Sequence, residues 1–133
     1  MKSICSSALP SYADCARRMA AQTFKGLVEE KGYELRQLTM GVGAAVGISV
    51  HSGVALTLTN KKDTGELSSL SDMEDCSIAE YEEHTKDGVM YDGTSKNNNY
   101  ATKHIRAISK VYRDDVAPLI DPVEVEIPLD ARS

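Results

Sequence analysis

The sequence is poor in the residues that build a disulfide framework or a large aromatic core. Its 133 residues contain three cysteines, no tryptophan and one phenylalanine. Cys5, Cys15 and Cys76 are odd in number and widely spaced, and no CxxC pair is present. These features argue against structural disulfides and against a self-contained zinc site. We therefore predict a reducing, cytoplasmic environment.

A long apolar run and a targeting signal are also lacking. The longest apolar run, residues 42–50, is interrupted by glycines and closed by His51, whereas a membrane helix needs about 20 apolar residues. Only Lys2 precedes a short serine-rich stretch, which is not a convincing signal peptide. We predict no membrane association. With 41% hydrophobic and 26% charged residues, we expect one soluble globular domain over residues 1–133.

Charge of either sign is unevenly distributed along the chain. The formal net charge of −5 argues against a dedicated nucleic-acid binder. Between Asp63 and Asp92, however, ten acidic residues stand against Lys86 alone, whereas residues 95–113 contain five cations and no acid. A chain polarised in this way can carry a local cationic surface despite its total charge. The acidic run from Asp72 to Glu83 is predicted to face solvent; the alternatives are that it mimics DNA or meets a basic partner.

Apolar side chains at three- and four-residue steps predict a mainly helical protein. The segment 11–32 has this pattern and ends at Gly32, a plausible helix stop. Cys15 lies near the apolar side of this helix and is predicted to be a buried thiol. A second helix is predicted over residues 42–59, although 54–59 also fits a strand. Its expected apolar row contains four residues: Val46, Val50, Val54 and Leu58.

The second half of the chain contains two further predicted helices. After a turn at residues 60–65, the capping-box pattern Ser77-Ile78-Ala79-Glu80 predicts the start of a short helix. A loop rich in Gly, Asn and Asp follows, and a strong helix runs from Ser95 or Asn99 to Tyr112. Its apolar face contains Ala101, Ile105, Ile108 and Tyr112, and a basic stripe lies opposite. That basic stripe contains Lys103, Arg106, Lys110 and Arg113.

The last segment alternates between apolar and polar residues. This period-two pattern over residues 122–129 predicts a half-buried strand, which Pro122 and Pro128 confine to a strand start and an edge. A single strand cannot form a stable sheet. We therefore expect residues 123–129 to pair with a partner protein or with a second copy, unless the sequence stops where a sheet begins. The predicted helical part of the chain, which precedes this strand, covers about residues 8–113.

Several short motifs resemble RecB-like and Cas4-like nucleases of the PD-(D/E)XK superfamily, including phage members. The stretch SALPSYADCARR at residues 7–18 resembles their opening Ser-x-x-x-x-Tyr-x-x-Cys-Pro-Arg helix, with Ala16 in place of proline. The stretch GISVH at 47–51 is similar to their Gly-Thr-Ala-Val-His helix. Residues 88–92, the helix to Tyr112 and PVEVE at 122–126 look like the lead-in to their first core strand.

The resemblance implies a metal-dependent DNA nuclease. The fold it implies is the helical, bundle-like front half of an α/β nuclease ending in one edge strand. It implies that His51 binds Mg²⁺ or Mn²⁺, and a basic stripe of this kind is a candidate for DNA phosphates. The family's catalytic Asp and its Asp/Glu-x-Lys signature have no counterpart here, and neither does the cysteine cluster of some relatives. Asp63, Glu124 and Glu126 are available carboxylates, but no spacing places one beside His51.

Two functions of different classes follow from these residues. In the first, the chain is the N-terminal portion of a RecB-like DNA nuclease and is catalytically incomplete by itself. In the second, it is a non-enzymatic, phage-type interaction protein that binds or inhibits a nuclease or a CRISPR-type complex. The acidic net charge and the missing signature favour the second for the isolated chain, whereas the resemblance favours the first for its origin. His51 as packed histidine and the basic stripe as solvated surface remain alternatives.

Overall fold

The computed structural model describes residues 9–35 and 38–126, and this part of the chain is mainly helical, as predicted. The chain divides into two compact units, Met1–Leu38 and Thr39–Ser133. The six α-helices among the described residues are α1 Leu9–Asp14, α2 Ala16–Thr23, α3 Lys25–Glu30, α4 Val42–Thr64, α5 Leu70–Thr85 and α6 Asn98–Val111.

The first unit contains three short helices in place of the single predicted helix. Cys15 has extended backbone (φ −154°, ψ 99°) and separates α1 from α2, and Phe24 separates α2 from α3. The predicted stop is confirmed, since Gly32 follows α3 in the left-handed region (φ 84°). The prediction that Cys15 is a buried thiol is wrong: at the helix break its side chain is exposed.

Helix α4 opens the second unit and is longer than predicted. It begins after Gly41, and its helical pattern continues through the predicted turn at 60–65 as far as Thr64. Gly65 then adopts φ 81° and donates its N–H to the carbonyl of Lys61 at 2.8 Å, which ends the helix. Lys61 and Lys62 in the last turn are favourably placed next to the helix C-terminus.

Helix α5 begins eight residues before the predicted start. The hydroxyl of Ser69 accepts the N–H of Asp72 at 3.0 Å and donates to its carboxylate at 2.7 Å, so Ser69 is the N-cap. The prediction of a helix start at Ser77 is wrong, because Ser77 lies buried in the middle of α5. Residues 69–80 contain three Ser-x-x-acid patterns, beginning at Ser69, Ser71 and Ser77, and the structure uses the first as the cap.

Helix α6 is confirmed, with Asn97 as its N-cap accepting the N–H of Tyr100 at 3.2 Å. A π-helical turn, Tyr112–Val116, and a 3-10 turn, Ala117–Leu119, continue it. The predicted loop before α6 is also confirmed. Its residue Met90 donates to the carbonyl of Met40 and accepts from Val42, both at 2.8 Å, and so ties the loop to the start of α4.

The interface between α4 and α5 is built from small residues. The four fully buried α4 residues after Val42 are Ala45, Ser49, Gly53 and Thr57. We call this set the inner row; it lies one position away from the predicted row of Val46, Val50, Val54 and Leu58, which is only partly buried. A Cβ on Gly53 would lie 2.1 Å from the Ser77 hydroxyl oxygen and 2.9 Å from the Met73 carbonyl oxygen. The two helices therefore pack closely because position 53 has no side chain.

The core continues from this interface to α6. Val42, Ala45 and Tyr81 pack with Ala101 and Ile105 in one buried cluster. Because Tyr81 neighbours the start of α4 and Met73 neighbours its middle, α5 runs antiparallel to α4. The buried hydroxyls of the inner row are satisfied within α4: Ser49 donates to Ala45 at 2.6 Å and Thr57 to Gly53 at 2.9 Å.

The chain after α6 lies along α4 without forming a strand over the described residues. Residues 122–126 are bends and irregular backbone, so the predicted strand is wrong for this stretch. The rest of that prediction, residues 127–129, lies outside the described residues. Side chains of α4, rather than a neighbouring strand, contact the chain after α6. Lys61 contacts residues 117–121, Lys62 contacts Glu124 and His51 contacts Glu126.

Candidate metal-binding site

His51 lies on the face of α4 that points away from α5. Its neighbours in the inner row, Ser49 and Gly53, are each two residues away, which corresponds to a rotation of about 200° around a helix. The His51 side chain is 68% exposed. His51 is therefore not buried in the core, although a histidine at the rim of the fold has the same exposure, and its imidazole is accessible to a ligand.

A carboxylate that is distant in sequence reaches this imidazole. Nε2 of His51 contacts Oε1 of Glu126, 75 positions further along the chain. The Glu126 side chain is 53% exposed, and its backbone lies in the left-handed region (φ 54°), which is uncommon for a residue other than glycine. Backbone strain of this kind is concentrated at functional sites. The other two available carboxylates lie near Lys62: Glu124 at 3.2 Å and Asp63 at 4.0 Å.

An imidazole nitrogen next to a carboxylate oxygen can start a site for a divalent cation. Mg²⁺ takes about six ligands, mostly oxygen, and usually keeps several waters. The His51–Glu126 pair could supply one nitrogen and one oxygen of such a set, provided that an ion replaced the direct contact between the two side chains. Within residues 9–35 and 38–126, no third His, Cys, Asp or Glu joins the pair. Because Nε2 must be unprotonated to bind a metal, such a site would weaken as the pH falls.

Lys61 holds the segment that carries Glu126. Its ammonium donates to the carbonyls of Ala117 and Pro118, both at 3.1 Å, and to that of Ile120, and it lies 3.7 Å from the Asp121 carboxylate. The Lys61 side chain is 15% exposed. The start of the segment is thereby fixed to the last turns of α4, and Glu126 is placed further back along the same helix.

The basic stripe lies on α6, but most of its charge is compensated within the second unit. Arg106 pairs with Glu74 at 2.7 Å and Lys110 with Asp114 at 2.7 Å, while Arg113 donates to the Ser68 carbonyl at 2.8 Å. Hydrogen bonds from Lys110 and Arg113 lower the pKa of Asp114. Lys103, the remaining member of the stripe, forms no ion pair with any residue that the structure describes. DNA contact by Lys103, Arg106, Lys110 and Arg113 stays a prediction.

An apolar groove follows α6 on its solvent side, and sequence reasoning missed it. It has a volume of about 420 Å³ and is lined by Ala107, Ile108, Val111, Tyr112 and Val116. Val111 is 57% exposed. The sequence contains a signal for this groove. Only Ala101, Ile105 and Ser109 of α6 are buried, whereas the apolar residues of α6 cover a wider arc of the helix surface.

Helix α4 is long and apolar enough to cross a membrane by length and composition, and 28% of its most apolar window is buried. The core helix of a soluble protein has the same properties, so the predicted absence of a membrane stays a prediction.

Comparison with known proteins gives no family for this chain. No protein-family model matches the sequence, and neither a curated protein nor a solved structure matches it. The resemblance to RecB-like nucleases rests on the short motifs alone. Function is therefore argued from the residues around His51 and Glu126.

Proposed function

We propose that the chain is the N-terminal helical portion of a RecB-like PD-(D/E)XK DNA nuclease, catalytically incomplete as an isolated chain. The observation that carries this proposal is the contact between His51 and Glu126. His51 is the position that the GISVH motif assigns to the metal. Glu126 belongs to the segment PVEVE, which resembles the lead-in to the first core strand. Two motifs with independent resemblance thus meet at one point of the fold.

The pair has a defined role in such a nuclease. A bound Mg²⁺ or Mn²⁺ ion activates water and neutralises charge on the phosphodiester. Nε2 of His51 and a carboxylate oxygen of Glu126 would hold the ion once it replaced their mutual contact, and α4 keeps the imidazole in place. The remaining carboxylates and the lysine come from another polypeptide segment, because no Asp/Glu-x-Lys signature on a strand hairpin occurs in this sequence.

The outer face of α4 is suited to receive that segment. Ile48, about one turn before His51, is exposed, and so is Leu56 further along the helix. A helix that is apolar all round is normally covered on all sides, and the described α4 residues that are buried are Val42 and the inner row alone. The uncovered apolar surface next to His51 supports the placement of a catalytic sheet there.

The test combines Mn²⁺ titration with a cleavage assay. The unaltered chain should bind Mn²⁺ weakly and leave linear and single-stranded DNA intact. His51→Ala and Glu126→Gln should each reduce Mn²⁺ affinity at least about tenfold. Glu124→Gln is the matched control, because Glu124 is a nearby carboxylate that pairs with Lys62 instead, and it should leave the affinity unchanged.

Two outcomes would contradict this proposal in different ways. Equal Mn²⁺ affinity in all four proteins would show that the His51–Glu126 pair is not a metal site. Metal-dependent cleavage by the isolated chain, lost in His51→Ala, would show that its site is complete, and the assignment as an incomplete portion would be wrong.

A non-enzymatic interaction protein is the second candidate, and the groove on α6 favours it. Exposed apolar surface of this kind marks protein contact sites. In this function the phage-type chain binds or inhibits a nuclease or a CRISPR-type complex. Added to a RecB-like nuclease assay, the chain should then lower the cleavage rate, Val111→Glu should relieve that inhibition, and His51→Ala should not. If the chain leaves the cleavage rate unchanged, this second function loses its support.

A further inference from the structure

The ammonium group of Lys61 has an unusual set of partners for a lysine in a helix. Three backbone carbonyls converge on it, those of Ala117, Pro118 and Ile120. The Asp121 carboxylate is the fourth neighbour, at 3.7 Å. The adjacent Lys62 differs: its side chain is twice as exposed, at 31% against 15%, and its partners are the carboxylates of Glu124 and Asp63.

The partners of Lys61 match what an ammonium group requires. It has three N–H donors and no acceptor, and a poorly exposed ammonium needs every donor satisfied. The three carbonyls come from the 3-10 turn Ala117–Leu119 and the residue after it, at the end of the α6 region, where backbone carbonyls run out of helical partners. The Ala117 carbonyl also accepts the N–H of Ile120 at 3.3 Å. Hydrogen bonds from a charged donor are about twice as strong as neutral ones. Lys61 therefore fixes the backbone of residues 117–120 rather than a single side chain.

The position of this anchor determines how far the chain can reach along α4. Lys61 and His51 are ten residues apart on one helix, roughly 15 Å along its axis. From Asp121 to Glu126 the chain has five residue steps, which span at most roughly 17 Å when fully extended. Residues 122–126 bend rather than run fully extended, so the backbone spans less than this maximum, and the side chains of Lys61, His51 and Glu126 cover the rest of the distance. The point where the chain is held at Lys61 therefore limits where Glu126 can lie along α4.

We propose that Lys61 is the positioning residue of the His51–Glu126 pair. By holding the carbonyls of residues 117, 118 and 120, it sets the path of residues 121–126 and so delivers the Glu126 carboxylate to the imidazole. That the positioned pair binds a metal rests on the proposed function. That Lys61 positions Glu126 rests only on the contacts of Lys61, so the positioning and the metal binding can be tested separately.

The test uses a spin label on the delivered segment. Val123, which is highly exposed, is changed to cysteine in a background where Cys5, Cys15 and Cys76 are serine, and a nitroxide is attached. Paramagnetic relaxation of the α4 amides next to His51 then reports the position of the segment. Lys61→Met should reduce this relaxation at least fivefold, whereas Lys61→Arg, which keeps a charged donor, should retain more than half. Lys62→Met is the matched control and should change it less than twofold.

A second measurement needs no substitution in α4. In the unaltered chain, Lys61 should react with an amine-acylating reagent at least tenfold more slowly than Lys62. Mass spectrometry of the peptides measures the reaction rate of each lysine. Equal reaction rates, or equal relaxation in Lys61→Met and Lys62→Met, would overturn the positioning role. Mn²⁺ titration of the same proteins separates the two proposals. Relaxation that depends on Lys61 without any Mn²⁺ binding would leave the positioning of Glu126 standing and remove the metal site.

Discussion

The two faces of helix α4 have different surroundings, although both are rich in small and apolar residues. On one face, the inner row packs against α5 so closely that Gly53 has no room for a Cβ atom. On the other face, Gly47 has nothing within 4 Å of the position a Cβ would take, and Ile48 and His51 are exposed. Hydropathy alone therefore does not show which face of such a helix is packed. The packed face is the one whose residues are small enough to let a neighbouring helix approach.

The difference between the faces has an energetic basis. Small residues in the inner row let the backbones of α4 and α5 approach, so that Met73 and Ser77 pack against Gly53 directly. Glycine inside a helix costs roughly 0.5–1 kcal/mol relative to alanine. At position 53 close packing offsets this cost. At position 47 no described residue comes within 4 Å of an added Cβ atom, so no packing offsets the cost.

The largest expected effect is that of Gly53→Ala. The new methyl group meets the Ser77 hydroxyl and, more importantly, the Met73 carbonyl, which belongs to the backbone and cannot rotate away. Overpacking of this kind typically costs about 1–3 kcal/mol, and we expect the upper half of that range as a loss in the free energy of unfolding. Urea denaturation followed by circular dichroism measures it. An unchanged midpoint would mean that α4 and α5 are further apart than the structure has them.

Gly47→Ala is the matched substitution on the outer face and should have the opposite sign. The added methyl group meets nothing, and alanine restricts the unfolded chain, so the free energy of unfolding should rise by about 0.5–1 kcal/mol. The same denaturation experiment applies. A loss comparable to that of Gly53→Ala would show that the outer face is also packed, for example against a second copy of the chain.

Ser77→Ala tests the contact between positions 53 and 77 from the side of α5. The Ser77 hydroxyl is buried and has no hydrogen-bond partner among the described residues, so its removal should change the free energy of unfolding by less than about 1 kcal/mol, in the stabilising direction. Combined with Gly53→Ala, it should recover part of the lost stability by removing the nearest atom. Strictly additive effects in the double variant would mean that positions 53 and 77 are not in contact.

His51→Ala should have the smallest effect on stability. The imidazole and its partner Glu126 are both more than half exposed, and exposed pairs contribute roughly 0–1 kcal/mol. We expect a change of less than about 0.5 kcal/mol in thermal or urea denaturation. A loss several times larger would make His51 a structural residue and remove the reason to assign it to a metal.

Local features of this fold could be predicted from the sequence, and contacts between distant segments could not. The helix from Asn98, the loop before it and the start of α4 follow from caps, glycines and apolar spacing. Apolar spacing does not predict the inner row, because it favours the large apolar residues, whereas the buried residues are Ser49, Gly53 and Thr57. The start of α5 does not follow from the sequence either, because three capping patterns compete between residues 69 and 80 and only packing selects Ser69.

The candidate site divides in the same way. His51 could be singled out from the motif GISVH, because that signal is local. Its contact with Glu126 depends on the path of the chain after α6, which Lys61 directs through backbone carbonyls. No spacing in the sequence encodes such a contact. The pairing of Arg106 in the basic stripe is of the same kind, because its partner Glu74 lies on another helix.

The most direct test of this account is the NMR spectrum of the ¹⁵N-labelled chain with substoichiometric Mn²⁺. The paramagnetic ion broadens amide signals near its binding site. If the outer face of α4 carries the metal pair, broadening should centre on residues around His51 and Glu126 and leave those around Ser69 and Asp72 sharp. Broadening that centres instead on the acidic residues of α5, or that spreads evenly over the surface, would contradict the account.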